Sequence, residues 1–334
     1  MYIIITTKQR KILGGEVLVL LLYTLHNILD ISYAQIKTQH IPKIMSSSTI
    51  CANCGEGEEE SGNLKSCAAC KLVKYCSRDC QIAHRPHHKK ECKQRAAELY
   101  DEKLFKEIEP EECSICMLPV VSLDQTTFMS CCGKSVCKGC IYAMTVSGGK
   151  DLCAYCRAPP PSSEEEHIKQ TKKLMEKGYA EAYYVLGQHY AKGVLGLPQD
   201  QQKANELFLK AGELGCASGY CNLGNAFEQG RGIEVDRKKA THYWEIATMM
   251  GSLQARNILA CMEVEAGNVN RADKHFMIAA RAGSKAALDQ VKVSYQMGFV
   301  TKDEYASTLR AFHERQKEMK SDERDKVAAS RVFT

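Results

Sequence analysis

The sequence predicts two small cysteine-stapled modules followed by an all-α solenoid of helix-turn-helix repeats. Three observations carry this reading. Fifteen of the 18 cysteines lie between Cys51 and Cys156, most of them in closely spaced pairs. A stretch rich in Pro, Ser and Glu, Pro159–Glu166, then closes the cysteine-rich part. Beyond it a period of 36 or 37 residues appears. The chain has 334 residues, room for two or three domains. Its 45 Lys+Arg against 40 Asp+Glu leave a formal charge of +5, too small and too scattered to point to nucleic acid.

Cysteines this dense mean either a disulfide framework in an oxidising compartment or metal binding in a reducing one. Repeated C-x-x-C pairs with interleaved histidines, and no glycosylation sequon among them, favour metal.

Cys51–Cys92 supplies four pairs: Cys51/Cys54, Cys67/Cys70, Cys76/Cys80 and His88/Cys92. Zinc takes four S/N ligands in a tetrahedron, so eight ligands predict two ions. A 42-residue segment cannot bury a sufficient core, so metal must hold it together. Glu56–Asn63 reads as a solvated loop. The strings Cys76-Ser-Arg-Asp-Cys80-Gln81 and Pro86-His87-His88-Lys89-Lys90-Glu91-Cys92 resemble the MYND zinc finger. The resemblance implies interleaving, with Cys51, Cys54, Cys76 and Cys80 on one ion and Cys67, Cys70, His88 and Cys92 on the other. Arg85 stands where the family has Trp, which argues against docking of proline-rich peptides. His84 and His87 are read as surface residues.

Residues 93–112 read as a connecting helix, with Ala97, Tyr100, Leu104 and Ile108 at helical spacing and an end at Pro110. Cys113/Cys116, Cys131/Cys132, Cys137/Cys140 and Cys153/Cys156 then bring eight more thiols. Their order, and the strings Cys113-Ser-Ile115-Cys116 and Cys153-Ala-Tyr-Cys156-Arg157-Ala-Pro-Pro, resemble a RING finger. That resemblance implies pairs one and three on one ion and pairs two and four on the other, a second cross-brace module. Two positions depart from the family. Ala154 replaces a proline, and Lys134 holds the slot of a histidine ligand; a protonated lysine has no lone pair to give. Cys131 is the nearest replacement, making an atypical all-cysteine site whose bend Gly133 would help. Without Cys131 the site keeps three ligands, an arrangement that catalytic zinc uses, but no paired carboxylate or activated His stands nearby in sequence.

In the repeat region Leu186-Gly187 recurs as Leu223-Gly224 and Leu259-Ala260, and Lys203-Ala204 as Lys239-Ala240 and Arg271-Ala272. Phe208, Trp244 and Phe276 share one slot. The third unit is shorter near Gly267-Asn268, by a helical turn or by a trimmed loop. Asp200 and Asp236 read as N-caps. These strings resemble Sel-like repeats, relatives of the tetratricopeptide array, over about Tyr179–Gly283. A fourth pair, Ala286–Lys317, departs from the pattern and reads as a cap.

The domain reading is therefore: 1–44 a leader or mispredicted extension, 45–50 a start segment from Met45, 51–92 the MYND-type finger, 93–112 a helical linker, 113–157 the RING-like finger. It continues with 158–170 a linker, 171–318 the repeats with their cap, and 319–334 a charged tail, a helix fraying into disorder. The apolar run at residues 12–29 offers a membrane anchor as the alternative for the leader; Gly14, Gly15, Glu16 and His26 interrupt it.

The RING resemblance implies a ubiquitin ligase. Ile115 would contact a ubiquitin-conjugating enzyme, Arg157 would bridge that enzyme and ubiquitin, and the repeats would recruit a protein substrate or peptide. The alternative is a non-catalytic scaffold or adaptor; a chromatin or RNA regulator ranks last, because no basic stripe with interleaved aromatics is present. The ligand count predicts about four zinc ions per chain. A cytoplasmic or nuclear location suits reduced thiols.

Overall fold

The computed structural model describes residues 49–57, 63–121, 125–146, 152–153 and 155–329. The chain forms two compact units, one up to Ala96 and one from Ala97 onward.

The first unit is small. Strands β1 (Lys65–Ser66) and β2 (Lys74–Tyr75) pair antiparallel, Lys65 opposite Tyr75. Its core is Cys51, Leu64, Cys67, Cys70 and Tyr75, so cysteines make up most of what is buried. Helix α1 (Arg78–Leu104) starts one residue beyond Cys76, after Ser77. Ser77 Oγ accepts from the Cys80 N–H at 3.2 Å, which satisfies one donor of the first turn. Pro86 sits inside this helix, on an exposed face. Of the acidic loop, residues 58–62 lie outside the described residues, as do residues 1–48 with the apolar run and the start at Met45.

The helix predicted over 93–112 begins earlier and ends earlier than its spacing implies. It grows out of the first metal cluster and stops at Leu104, well before Pro110. The stop has a physical cause. Arg256, 1% exposed, donates to Leu104 O at 3.1 Å and to Lys106 O at 3.2 Å, so a buried guanidinium satisfies carbonyls that the helix end leaves free.

The second unit contains the last turns of α1, the second cysteine module and the helices. The module has two antiparallel ladders: β3 (Glu111–Glu112) with β4 (Pro119–Val120), and β5 (Thr126–Met129) with β6 (Lys134–Cys137). Helix α2 (Lys138–Val146) follows. Helix α3 (Glu164–Glu176) starts inside the stretch read as a linker, capped by Ser163, whose side chain accepts from Glu166 N.

The solenoid runs α4 (Ala180–Lys192), α5 (Gln201–Glu213), α6 (Ala217–Gln229), α7 (Arg237–Met249), α8 (Leu253–Glu265), α9 (Val269–Arg281), α10 (Lys285–Gln296) and α11 (Lys302–Glu318). Both helices of the third unit, α8 and α9, keep the 13 residues of their counterparts, while the connection shrinks to residues 266–268. The shortening is therefore a trimmed loop. Asp200 and Asp236 cap α5 and α7, accepting from Lys203 N at 2.9 Å and Lys239 N at 3.0 Å.

The repeated small residue and the repeated aromatic are one device. A Cβ on Gly187 would lie 2.8 Å from Phe208 Cε1, and one on Gly224 would lie 2.6 Å from Trp244 Nε1. Glycine lets the first helix of each pair press onto the ring of the second. Trp244 also donates to Asn225 Oδ1 at 3.0 Å, so its one polar atom is satisfied.

The charged tail departs from its reading as a fraying helix. The chain breaks at residues 320–321 and forms α12 (Asp322–Ala329), which packs on α2 of the cysteine module. Residues 330–334 lie outside the described residues. Arg324 explains the docking. Its Nη1 donates to Pro119 O at 2.7 Å and its Nη2 to Leu118 O at 3.1 Å, and Nη2 lies 3.5 Å from Cys116 Sγ. Gly139 makes room, since a Cβ there would fall 3.0 Å from Arg324 N.

Candidate metal centres

The structure gathers the sixteen residues singled out by the sequence into four groups of four. They are Cys51/Cys54/Cys76/Cys80, Cys67/Cys70/His88/Cys92, Cys113/Cys116/Cys137/Cys140 and Cys131/Cys132/Cys153/Cys156. Within each group all donor atoms lie within 4.8 Å of one another. In both modules the first pair meets the third and the second meets the fourth, which is the cross-brace.

Local turns build these groups. Gly55, Lys71, Met117 and Arg157 each follow a C-x-x-C pair, and all four have left-handed φ of +78°, +60°, +58° and +60°. Each donates its N–H to the carbonyl of the first cysteine of its pair, at 2.9–3.0 Å. The left-handed residue closes the turn and points both sulfurs to the same side. Only one of the four is glycine, so the closed turn holds three side chains in a backbone region that costs them energy. The second pair of the second cysteine module uses a different turn. Gly133, φ +72°, donates to Met129 O at 2.8 Å and leaves Cys131 and Cys132 in the same group.

The distances decide between disulfide and metal. A disulfide needs sulfurs about 2.05 Å apart. Zinc with S ligands at about 2.3 Å sets tetrahedral S···S edges of about 3.8 Å. The edges Cys54–Cys76, Cys67–Cys92, Cys116–Cys137, Cys132–Cys153 and Cys156–Cys131 measure 3.6, 3.7, 3.8, 3.8 and 3.5 Å. His88 Nε2 stands 3.1 Å from Cys70 Sγ. Every cysteine among these is a free thiol.

Electrostatics point the same way. In each group one thiol is held low. Burial opposes this at Cys51, but the backbone N–H groups of Cys54, Cys76 and Asn53 bring it down to about 6. Cys113 reaches about 6 by the same balance, against burial and through N–H groups of Cys137, Cys116 and Ile115. Other thiols are pushed up: Cys92 to about 12 by burial and by Cys67 and Cys70, and Cys131 and Cys140 upward by burial and their sulfur neighbours. Such thiols cannot all ionise together without a cation among them, and a dication fits four converging thiolates, or three with His88 in the second group. Four zinc ions match the four groups.

The remaining sequence-predicted positions fall outside the groups. Lys134 lies on β6 with its ammonium 5.4 Å from the Tyr155 ring centre. Ile115 is 38% exposed, and Arg157 is exposed on the last knuckle. His87 is exposed, but His84 is half-buried: its Nδ1 is 3.1 Å from Tyr75 Oη and its ring stacks on His88 at 5.7 Å. It steadies the ligand histidine from behind, a role that His84's place in a run of polar residues does not announce. Arg324 is the other residue sequence reasoning missed, because a lone arginine among acids in a charged tail reads as solvated.

Residues 51–92 match the MYND finger family. Residues 180–216 and 217–252 each match the Sel1 repeat. The SET domain and MYND-type zinc finger protein 6 of Schizosaccharomyces pombe (strain 972 / ATCC 24843) is 43% identical over 49 residues, 15% of this chain and 10% of that protein. The chain thus spans about a tenth of that relative's length. Among solved structures, a protective antigen present in uropathogenic Escherichia coli strains displaying an SLR fold shares 23% identity, with 47% of this chain and 35% of that one covered at a TM-score of 0.41. A Sel1 repeat protein from Oxalobacter formigenes shares 21%, with 54% and 70% covered at a TM-score of 0.40. The chain therefore joins a MYND-type zinc finger to a Sel1-type helical solenoid. Among the described residues no helix is long and apolar enough to cross a membrane, and residues 12–29 lie outside them.

Proposed function

We propose that the chain is a RING-type ubiquitin ligase, with residues 113–157 as the module that binds a ubiquitin-conjugating enzyme and the repeats, 171–318, as the substrate-holding part. In this reading the sixteen grouped residues are zinc ligands, and residues 51–92 form a second zinc-held module. The observation that carries it is the cross-braced all-sulfur pair of sites at Cys113–Cys156, with Ile115 and Arg157 both reaching solvent from the first and last knuckles. An apolar side chain on a rigid metal-held loop is a preorganised contact, and an exposed guanidinium can bridge two partners' carbonyls with a planar fork that Lys does not reproduce. Such a ligase supplies no nucleophile; it positions a thioester already activated. Thiols that must stay reduced favour the cytoplasm or nucleus.

The test is discharge of ubiquitin from a panel of charged conjugating enzymes by the zinc-loaded full chain. Ile115→Ala is expected to abolish enzyme binding. Arg157→Ala is expected to keep binding and lose discharge, with Arg157→Lys failing to restore it. Wild-type protein that discharges no enzyme of a broad panel leaves the scaffold reading, in which the same modules only bind partners.

A further inference from the structure

Between the second cysteine module and the first helices of the repeats lies a groove of about 430 Å³. The module side presents Glu109, Glu111 and Phe128; the repeat side presents Glu181, Tyr184 and Leu253. Its lining residues include three carboxylates and no Lys, Arg or His, although the chain as a whole is net positive.

Among the described residues none of these three carboxylates forms an ion pair. Glu109 and Glu111 stand exposed on the module side of the groove, and Glu181 is half-buried on the repeat side. The Cys216 thiol in the same wall is pushed to about 11 by burial, with Glu181 and Glu111 contributing. Glu181 sits in the first turn of α4, where the helix dipole offers about half a positive charge. Half a charge does not offset two or three full ones, so the net field in the groove remains negative. Apolar walls sharpen that field by lowering the local dielectric.

We infer that this groove binds an extended segment of a partner protein that carries a lysine or arginine between apolar residues, the cation meeting Glu111 and Glu181 and the apolar side chains meeting Phe128 and Leu253. The inference deepens the proposed function by naming the class of segment the repeats hold, and it rests on that reading only for the consequence of binding. The groove's mixed lining argues for a peptide rather than a bare polycation, since acids alone make up a small part of the wall. It argues against a nucleic-acid backbone by sign.

Fluorescence polarisation of the zinc-loaded full chain tests this with three labelled probes: a Leu-Lys-Leu-Lys-Leu peptide, the same peptide with acetylated lysines, and a Leu-Glu-Leu-Glu-Leu peptide. The lysine peptide is expected to bind, the acetylated form at least about ten-fold more weakly, and the acidic one not at all. The double variant Glu111→Gln/Glu181→Gln is expected to lose a similar factor for the lysine peptide. Its melting temperature and metal content are read alongside, as the check that the double variant is folded and zinc-loaded. Equal binding of the acetylated peptide, undiminished binding by a folded double variant, or full displacement by spermine at equal charge overturns the inference. Ubiquitin discharge with no lysine-peptide binding removes the groove proposal and leaves the ligase reading; binding without discharge does the reverse.

Discussion

The two cysteine modules carry the same cross-brace and rest on different supports. Residues 51–92 have a core that is mostly cysteine, with Leu64 and Tyr75 as its apolar additions. Residues 113–156 have an equally small core, Cys113, Val120, Val136 and Cys137. Helices outside the second module buttress it, however. Tyr179 closes on Gly133, Ser130 Oγ donates to Gln170 Oε1 at 2.9 Å, and Arg324 clamps Leu118 and Pro119. Metal-dependent folding is therefore a property of surroundings as well as of ligand count. The first module has little to hold it once metal leaves, while the second shares a unit with a solenoid that has its own apolar core.

Zinc removal is the largest perturbation this contrast predicts. Structural zinc contributes on the order of 10–16 kcal/mol in isolated fingers at neutral pH. A strong chelator under reducing conditions is expected to release about four ions, unfold residues 51–92 throughout, and leave most of the helical circular dichroism. Hydrogen exchange resolved by segment should show full loss of protection at Leu64–Tyr75 and partial loss at β5 and β6. A metal content near two, or collapse of the whole helical signal, breaks the comparison.

Trp244→Ala is expected to strike the second unit alone. The ring is 4% exposed and presses against Gly224, so its removal leaves a cavity that the rigid neighbouring helices cannot close. A loss of about 3–5 kcal/mol follows from deletions of this size. Urea unfolding followed by circular dichroism reads it, and zinc binding by residues 51–92 should be untouched.

Arg324→Ala probes the buttress itself. The substitution removes a donor from Pro119 O and from Leu118 O, the latter keeping the Cys113 N–H, and frees α12 from α2. A loss of about 1–3 kcal/mol is expected, seen as rapid exchange at Asp322–Ala329 and faster zinc release from the second module. Unchanged release kinetics would show that the tail lies on the module without supporting it.

How much of this the sequence reveals differs between the same regions. Ligand groups are legible because spacing alone carries them: a C-x-x-C pair fixes two donors within one turn, and the interleaving follows from the family resemblance. The solenoid is legible because each repeat restates the same complementarity, Gly187 with Phe208 and Gly224 with Trp244. What stays hidden depends on contacts distant in sequence. The end of α1 at Leu104 is set by Arg256, some 150 positions away, which no local spacing encodes. The docking of α12 depends on one arginine and on the absence of a side chain at Gly139. The groove between module and repeats exists only once both are folded.

The smallest expected effect is a pH dependence that belongs to the helices rather than to the metal. His189 is held down to about 4 by burial, with His167 and Lys192 adding to it. His275 is held down to about 3 by burial and by Arg256 and Arg271, with Asp101 opposing. Both ring nitrogens of His275 are buried without a hydrogen-bond partner among the described residues, and its ring packs on Phe105 at 4.6 Å. A histidine whose folded pKa lies below its unfolded value of about 6.5 favours folding as the neutral form. Its contribution is whole above pH 6.5 and declines as the pH falls from there toward about 4 for His189 and about 3 for His275, because the unfolded chain takes up the proton first. Zinc ligands also protonate on acidification, so the slope of stability against pH in wild type mixes two causes. His275→Leu separates them: it removes one titrating group that belongs to none of the four metal groups. Melting temperatures from pH 7.5 to 5.5 are expected to fall less steeply for the variant than for wild type, and the difference between the two slopes reports the helical histidine alone. Parallel slopes would assign the acid sensitivity of the second unit to its metal groups, and would make the two modules more alike than their surroundings imply.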